Sequence, residues 1–344
     1  MSLQEPTSTF RHNQTATYAV SYANESHAAA LMRQTRHVLG MIGFGLQRPA
    51  SLPASCPFVG APLVPATGAA NLEIWTATSP VRHMQLGAVS GACSDDVAFG
   101  VIEFDELRHV ALEAAVEDAY GAIFDFLDQC GFSVPIRFWN YLNAITGDDD
   151  GLERYMRFNT GRHRAFAARL QQAVPPVASC VGGNAGASII YFLAAREPAR
   201  PIENPRQVSA YDYPPLYGPS SPKFSRASIH TLEAASTLFI SGTASIVGHE
   251  TRHAGDLAGQ VAETVENLRA LLGAANLTGD AALAHDWAVK IYLQEGVDRA
   301  AVDPALRAVF GVDSQRLYLR GEICRTDLLL EVEAFCNLAS RPAS

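Results

Sequence analysis

The chain has 344 residues, 48% of them hydrophobic, enough to bury a core for each of about two average domains. Its net charge of −9, without a basic run or a basic-aromatic stripe, argues against nucleic acid or an anionic membrane as partner. No apolar run approaches the roughly 20 residues that cross a bilayer, and no leader pattern opens the chain, so a soluble protein of the cytosol is expected.

The first sixty-odd residues, rich in Ser, Thr, Ala and Pro, show weak periodicity and read as an irregular region with some strand. From Leu107 to Leu127 apolar residues recur at helical spacing (Leu112, Val116, Ala119, Tyr120, Ile123, Phe124) and stop at Gly131. The β-branched and aromatic run Val134 to Leu142 predicts a strand, Leu152 to Leu170 a charged helix, and Ser188 to Leu193 a buried strand. Asn204 to Arg226 forms a long loop rich in Pro and Tyr, and its aromatic content points to an ordered, functional segment.

Beyond the loop the same plan returns. A strand over Thr237 to Ser241 precedes a helix over Leu257 to Leu272, striped by Val261, Val265 and Leu268. A strand at Ala288 to Leu293, a short helix at Val302 to Phe310, and strands at Arg316 to Cys324 and Leu328 to Phe335 follow. Both halves run strand, long helix, strand, helix, strand. This predicts an α+β protein of two duplicated units, each a mixed sheet with helices on one face, divided as residues 1–225 and 226–344.

One short motif invites a metal reading. His249, Glu250 and His253 stand in the order H-E-x-x-H, which binds zinc only when a helix places both histidines on one face. Here Gly248 precedes the motif, Gly255 follows it, and Asp256 suits the N-cap of the next helix, so a turn is expected and no metal. The six cysteines are scattered without C-x-x-C pairs, which predicts reduced thiols.

Longer segments carry a more specific signal. Leu238-Phe-Ile-Ser-Gly-Thr243, Gln260 to Leu268 and Leu328 to Ala334 resemble the RidA/YjgF fold, related in architecture to chorismate mutase. Across most of the chain, Phe138-Trp-Asn-Tyr-Leu142, Arg154 to Arg162, Asn204 to Tyr211, Ser241 to Thr251 and Tyr318 to Cys324 together resemble the chorismatases. That resemblance implies a cofactor-independent enzyme of this fold that takes pyruvate from chorismate, with the H-E-T string part of a family loop.

The residues suit that chemistry. An acidic protein holds a dicarboxylate such as chorismate only by gathering arginines locally. Candidates are Arg157 and Arg162 on the first-half helix, Arg206 and Arg226 on the loop, and Arg316 and Arg320 on the late strand. Strand alternation puts Arg316, Tyr318, Arg320, Glu322 and Cys324 on one face. Tyr211 and Tyr217 could pack around the substrate ring. Loss of pyruvate needs a general acid beside the enolpyruvyl methylene. Glu331, flanked by apolar residues, is the favoured acid, because burial would raise its pKa; Glu333 shares its face. The resemblance places the family's acid on this strand. It also implies that a cysteine seven residues earlier, here Cys324, marks a hydroxybenzoate-forming type, with Ala244 or Ser245 at a second pocket position.

The expected product pair is pyruvate and a hydroxybenzoate, chiefly the 3-isomer with some of the 4-isomer, from a monomer or small homo-oligomer with its site in the cleft between the halves. The competing readings are a hydrolytic chorismatase giving a dihydroxycyclohexadiene carboxylate, a RidA-like imine deaminase or metabolite-binding protein, and a metal-dependent hydrolase.

Overall fold

A computed structural model describes residues 16–34, 37–67, 70–106, 109, 111–170, 174–183, 186–232 and 235–338. The described residues build three large sheets and two short two-stranded ones. The first takes strands from β1 (Tyr18–Ala23), β2 (Val38–Phe44), β3 (Phe58–Ala61) and β5 (Leu72–Ala77), with helix α1 (Glu25–Gln34) after β1; β4 (Val64–Pro65) leaves it. The second unit holds β6 (Arg82–Leu86), β7 (Val89–Cys93), β8 (Val97–Phe104), α2 (Leu112–Cys130), β9 (Val134–Asn143), the short pair β10 (Asp148–Asp149) and β11 (Leu152–Glu153), α3 (Arg154–Arg169), β12 (Val177–Gly183) and β13 (Ser188–Ala195). The third holds β14 (Arg200–Ile202), β15 (Ala227–Leu232), β16 (Ala235–Thr243), the short pair β17 (Ile246–Val247) and β18 (Glu250–Thr251), α4 (Leu257–Ala274), α5 (Asp280–Leu283), β19 (Trp287–Leu293), α6 (Arg299–Phe310), β20 (Gln315–Arg320) and β21 (Leu330–Leu338).

The repeat foreseen in the two halves is visible in strand order. The second sheet runs β6-β7-β8-β13-β9-β12 and the third β14-β15-β16-β21-β19-β20, ending on β4. In each, the strand after the long helix pairs parallel with the next (β9 with β12, β19 with β20), and the last strand inserts antiparallel between earlier ones. The N-terminal region is more than irregular chain with some strand: its sheet runs β1-β5-β2-β3, with β2 parallel to β3 and β5 inserted antiparallel, a shortened copy of the same order. The edge strand β14 of the third sheet comes from before residue 226.

Helix α2 forms because its apolar residues fall on one stripe from Leu112 to Leu127, and it stops at Gly131, whose φ of 74° caps it in the left-handed region. The start of the predicted helix at residues 107, 108 and 110 lies outside the described residues. Helix α3 crosses α2 closely at Gly161, where a β-carbon would stand 2.3 Å from the Glu113 carbonyl oxygen. Helix α4 is capped by Asp256, which accepts from the Gly259 amide. Helices α2 and α3 cover one face of the second sheet, α4 and α6 one face of the third. The helix-free faces of all three sheets meet in one core, with Tyr18, Leu39 and Trp75 from the first, Phe99, Trp139 and Tyr191 from the second, and Phe239, Tyr292 and Phe335 from the third. Among the described residues no helix is long and apolar enough to cross a membrane.

Candidate active site

Where the second and third units meet, the edge strand β12 lies beside the bulged end of β16. Gly182 and Glu322 exchange two backbone hydrogen bonds, 2.7 and 2.9 Å, which bring the segment after β20 against β12. The long loop closes the remaining side, with Ser225 donating its amide to the Pro176 carbonyl. Together they enclose a cavity of about 420 Å³, walled by Arg162, Ser179, Cys180, Tyr213, Tyr217, Arg226, Gly242, Ala244, Cys324, Arg325 and Glu331 among others. This volume is at the size of a small-metabolite pocket.

Glu331 sits on the helix-free face of β21 and is 5% exposed. The register between β16 and β21 shifts between Ile240 and Thr243, and Gly242 in that bulge lets the carboxyl close in: a β-carbon there would stand 1.8 Å from Glu331 Oε1. Burial, and then the neighbouring Glu333 carboxylate, push Glu331 up to about 8, with Arg137 and Arg226 pulling the other way. At neutral pH it is a carboxylic acid. Glu333 is the opposite case. Burial acts to raise it too, but Lys290 Nζ at 2.9 Å and Arg137 Nη2 at 2.7 Å overcome this and hold it below the ordinary range. The two carboxyls that share a face are thus told apart by their donors.

Three arginines face the cavity. Arg162, 1% exposed, donates to Asn159 Oδ1 at 2.8 Å and lies over the Phe158 ring at 5.0 Å. Arg226, 4% exposed, donates to the Val208 carbonyl at 3.0 Å and the Tyr213 hydroxyl at 2.8 Å. The Nε of each is buried and meets no acceptor among the described residues. Arg325 stacks 4.4 Å over Tyr217 and donates to the His249 carbonyl at 2.9 Å. Cys324 is a free, partly buried thiol that burial and the Glu331 carboxyl push up to about 12, so it stays protonated. Cys180 and Tyr155, also in the wall, are raised well above their ordinary values, chiefly by burial. Ala244 lines the cavity, whereas the Ser245 hydroxyl donates to the Arg252 carbonyl at 2.8 Å.

Of the residues singled out from sequence, Glu331, Cys324, Arg162, Arg226, Tyr217 and Ala244 line the cavity. Four do not. Arg157 points to the other side of α3, bound to Glu113 Oε1 at 2.7 Å and to the Asp149 carbonyl at 2.8 Å. Arg206 ties the loop to α4 through Asn267 Oδ1 at 2.7 Å and the Glu263 carboxylate. Arg320 holds the Gln294 and Val297 carbonyls, both at 2.8 Å. Tyr211, in a single 3-10 turn, gives its carbonyl to Ser221 and leaves Tyr213 facing the cavity. Arg316 belongs with Asp303 at 3.1 Å and Ser314, under α6. The alternation expected from Arg316 to Cys324 ends with β20 at Arg320, so Cys324 reaches the cavity by a turn and not by strand periodicity. Arg325, Tyr213, Ser179 and Gly242 were not singled out; only the aromatic density of the loop hinted at Tyr213.

The H-E-x-x-H stretch is not helical. His249 and Glu250 lie in and after the β17-β18 turn at Gly248, and His253 has a φ of 58°. His249 Nδ1 faces the Tyr217 hydroxyl at 3.1 Å and His253 Nε2 faces Glu263 at 3.3 Å, so the imidazoles serve the loop and α4 separately.

A cavity between duplicated α+β units, with a protonated carboxyl at one wall and arginines at the others, suits an anionic small molecule. Residues 73–194 match the family model described as Chorismatase FkbO/Hyg5-like, N-terminal. A 3-hydroxybenzoate synthase from Streptomyces hygroscopicus is 32% identical over 330 residues, 91% of this chain and 95% of that protein. A chorismatase from Streptomyces rapamycinicus is 36% identical over 295 residues, 82% of this chain and 87% of that protein. The crystal structure of a chorismatase, 29% identical, matches with a TM-score of 0.82 over 93% of this chain and 98% of its own. The chain belongs to the chorismatase family.

Proposed function

We propose that this protein converts chorismate to pyruvate and a hydroxybenzoate, chiefly the 3-isomer. The observation that carries the reading is Glu331, a buried carboxyl held neutral up to about pH 8 in the wall of a cavity that also holds Arg162, Arg226 and Arg325.

In this reading the arginines take the two carboxylates of chorismate, for which the unengaged Nε of Arg162 and of Arg226 offer donors already desolvated. Glu331 gives its proton to the methylene carbon of the enolpyruvyl group. The ether bond to the ring then breaks and its electrons stay with oxygen, so the side chain departs as pyruvate. The adjacent ring hydroxyl attacks the carbon left behind and its proton returns to the Glu331 carboxylate, giving an arene-oxide-like intermediate that opens and rearomatises. Atoms balance without water: chorismate equals pyruvate plus hydroxybenzoate. The neutral thiols of Cys180 and Cys324 and the methyl of Ala244 leave little in that part of the wall to hold a water molecule. The relative that is a 3-hydroxybenzoate synthase supports the 3-isomer.

Purified protein incubated with chorismate in water enriched in oxygen-18, with products separated by chromatography, tests the reading. Pyruvate with unlabelled 3-hydroxybenzoate is expected. A dihydroxycyclohexadiene acid carrying one labelled hydroxyl would replace it with the hydrolytic reaction, and no turnover of chorismate would overturn it.

A further inference from the structure

The proposed acid shares its strand face with a second carboxyl that the reaction does not use. Glu331 and Glu333 alternate onto the helix-free face of β21, roughly 7 Å apart along the strand. Four donors converge on Glu333: Lys290 Nζ at 2.9 Å, Arg137 Nη2 at 2.7 Å, Trp139 Nε1 at 2.9 Å and the Ser179 hydroxyl. Lys290 also reaches Glu73 Oε2 at 2.6 Å, and Glu73 accepts from Trp75 Nε1 at 2.7 Å. Two carboxylates and two cations, drawn from all three units, are therefore closed off in the common core. Burying four charges is a weak route to stability, since apolar side chains of similar volume commonly do as well. One end of the cluster, however, touches the cavity, because Ser179 is part of its wall.

We infer that Glu333, fixed as a carboxylate by Lys290, Arg137, Trp139 and Ser179, is a positioning residue that keeps the Glu331 carboxyl in its proton-bearing form. The inference rests on the reading of Glu331 as the acid. In a dry site a carboxylate about 7 Å away disfavours ionisation of its neighbour, and the donors decide which of the two carries the charge. The positive charges of Arg137 and Arg226 favour the ionised form of Glu331, and Glu333 opposes them. The Tyr155 hydroxyl from α3 and the thiols of Cys180 and Cys324 also face it, and all three stay protonated. Tyr292, opposite Glu331 on β19, is neutral as well and bonded to Tyr141 at 2.9 Å. Lys290 and Glu73 stand one step further back and set the net charge behind Glu333.

The test compares wild type with Glu333→Gln, Glu73→Gln and Lys290→Gln in two measurements: the pH dependence of pyruvate release from chorismate, and the infrared carboxyl stretch of Glu331. The latter is isolated in each background by subtracting the same protein carrying Glu331→Gln, and needs no turnover. In Glu333→Gln the alkaline limb and the infrared titration both move to lower pH by about one unit or more. Glu73→Gln, which keeps its hydrogen-bonding shape, moves them the same way by less, and Lys290→Gln moves them to higher pH. A purely structural cluster would change stability and leave the titration of Glu331 in place, and that result in the folded variants overturns the inference. If Glu333→Gln does not fold, the opposite shifts of Glu73→Gln and Lys290→Gln support the inference and the absence of any shift defeats it. A wild type inert toward chorismate would defeat the functional reading alone, because the infrared titration would still decide this one.

Discussion

A β-carbon on Gly242 would stand 1.8 Å from Glu331 Oε1, so the glycine in the β16 bulge and the carboxyl on β21 occupy their places only together. The relationship makes Gly242→Ala a probe of position that leaves the acid itself untouched. The variant is expected to fold, to displace the Glu331 carboxyl, and to lose about 100-fold in kcat, the scale on which a misplacement of about 1 Å is felt. Steady-state kinetics beside a thermal melt separate that loss from unfolding, and unchanged kcat would refute the stated geometry.

The raised pKa of Glu331 has a signed consequence for stability. The folded state holds a proton up to about 8 that the unfolded chain releases near 4.5, so this group's contribution is fully present below the lower value and is lost as pH rises towards the upper. Glu331→Gln, which cannot ionise, is therefore expected to be more stable than wild type at pH 8, by about 2 °C or more in Tm, with the difference shrinking towards pH 4.5. Melting curves at the two pH values check it; an equal difference at both would contradict the shift.

Arginines in the cavity and arginines outside it are expected to behave differently. Arg226→Lys loses the planar fork and is expected to raise KM for chorismate about 10-fold or more with modest change in stability. Arg320→Ala frees the Gln294 and Val297 carbonyls and is expected to cost stability while leaving KM near wild type. Arg157→Ala likewise leaves KM unchanged, since its partners are Glu113 and Asp149. Substrate titrations of the three variants test the division, and a KM defect in Arg157→Ala would place α3's outer side in the binding surface.

Cys324 is expected to steer the product. Cys324→Ser puts a hydroxyl beside Glu331 that can hold water, and the ratio of hydroxybenzoate to dihydroxycyclohexadiene acid should fall while total pyruvate release changes less. Chromatography of both products reads the ratio, and an unchanged ratio would remove Cys324 from product control.

The helices and central strands were legible because their periodicities are strong. The stripe from Leu112 to Leu127, the run Val134 to Leu142 and the alternation around Glu331 each fall within the element observed. The N-terminal sheet was not. All seven residues of β2, Val38 to Phe44, are buried, so the strand shows no polar alternation, and two of them are glycines. Among site residues, Glu331 announced itself as a carboxyl in an apolar run. Arg320 and Arg325 could not be told apart from sequence, because the strand ends between them and a turn, not alternation, delivers the second to the cavity. The Glu73, Lys290, Arg137 and Glu333 cluster joins residues up to 260 positions apart in the chain, as between Glu73 and Glu333, and only the meeting of three sheets brings it together.

In the proposed reaction the Glu331 proton starts catalysis. Pyruvate release from chorismate by wild type and Glu331→Gln, at pH 7 and with both proteins shown to be folded and to bind chorismate equally, tests it most directly. A loss of kcat of about 100- to 10,000-fold in the variant, with Kd unchanged, is expected. Turnover in Glu331→Gln within a few fold of wild type would contradict it.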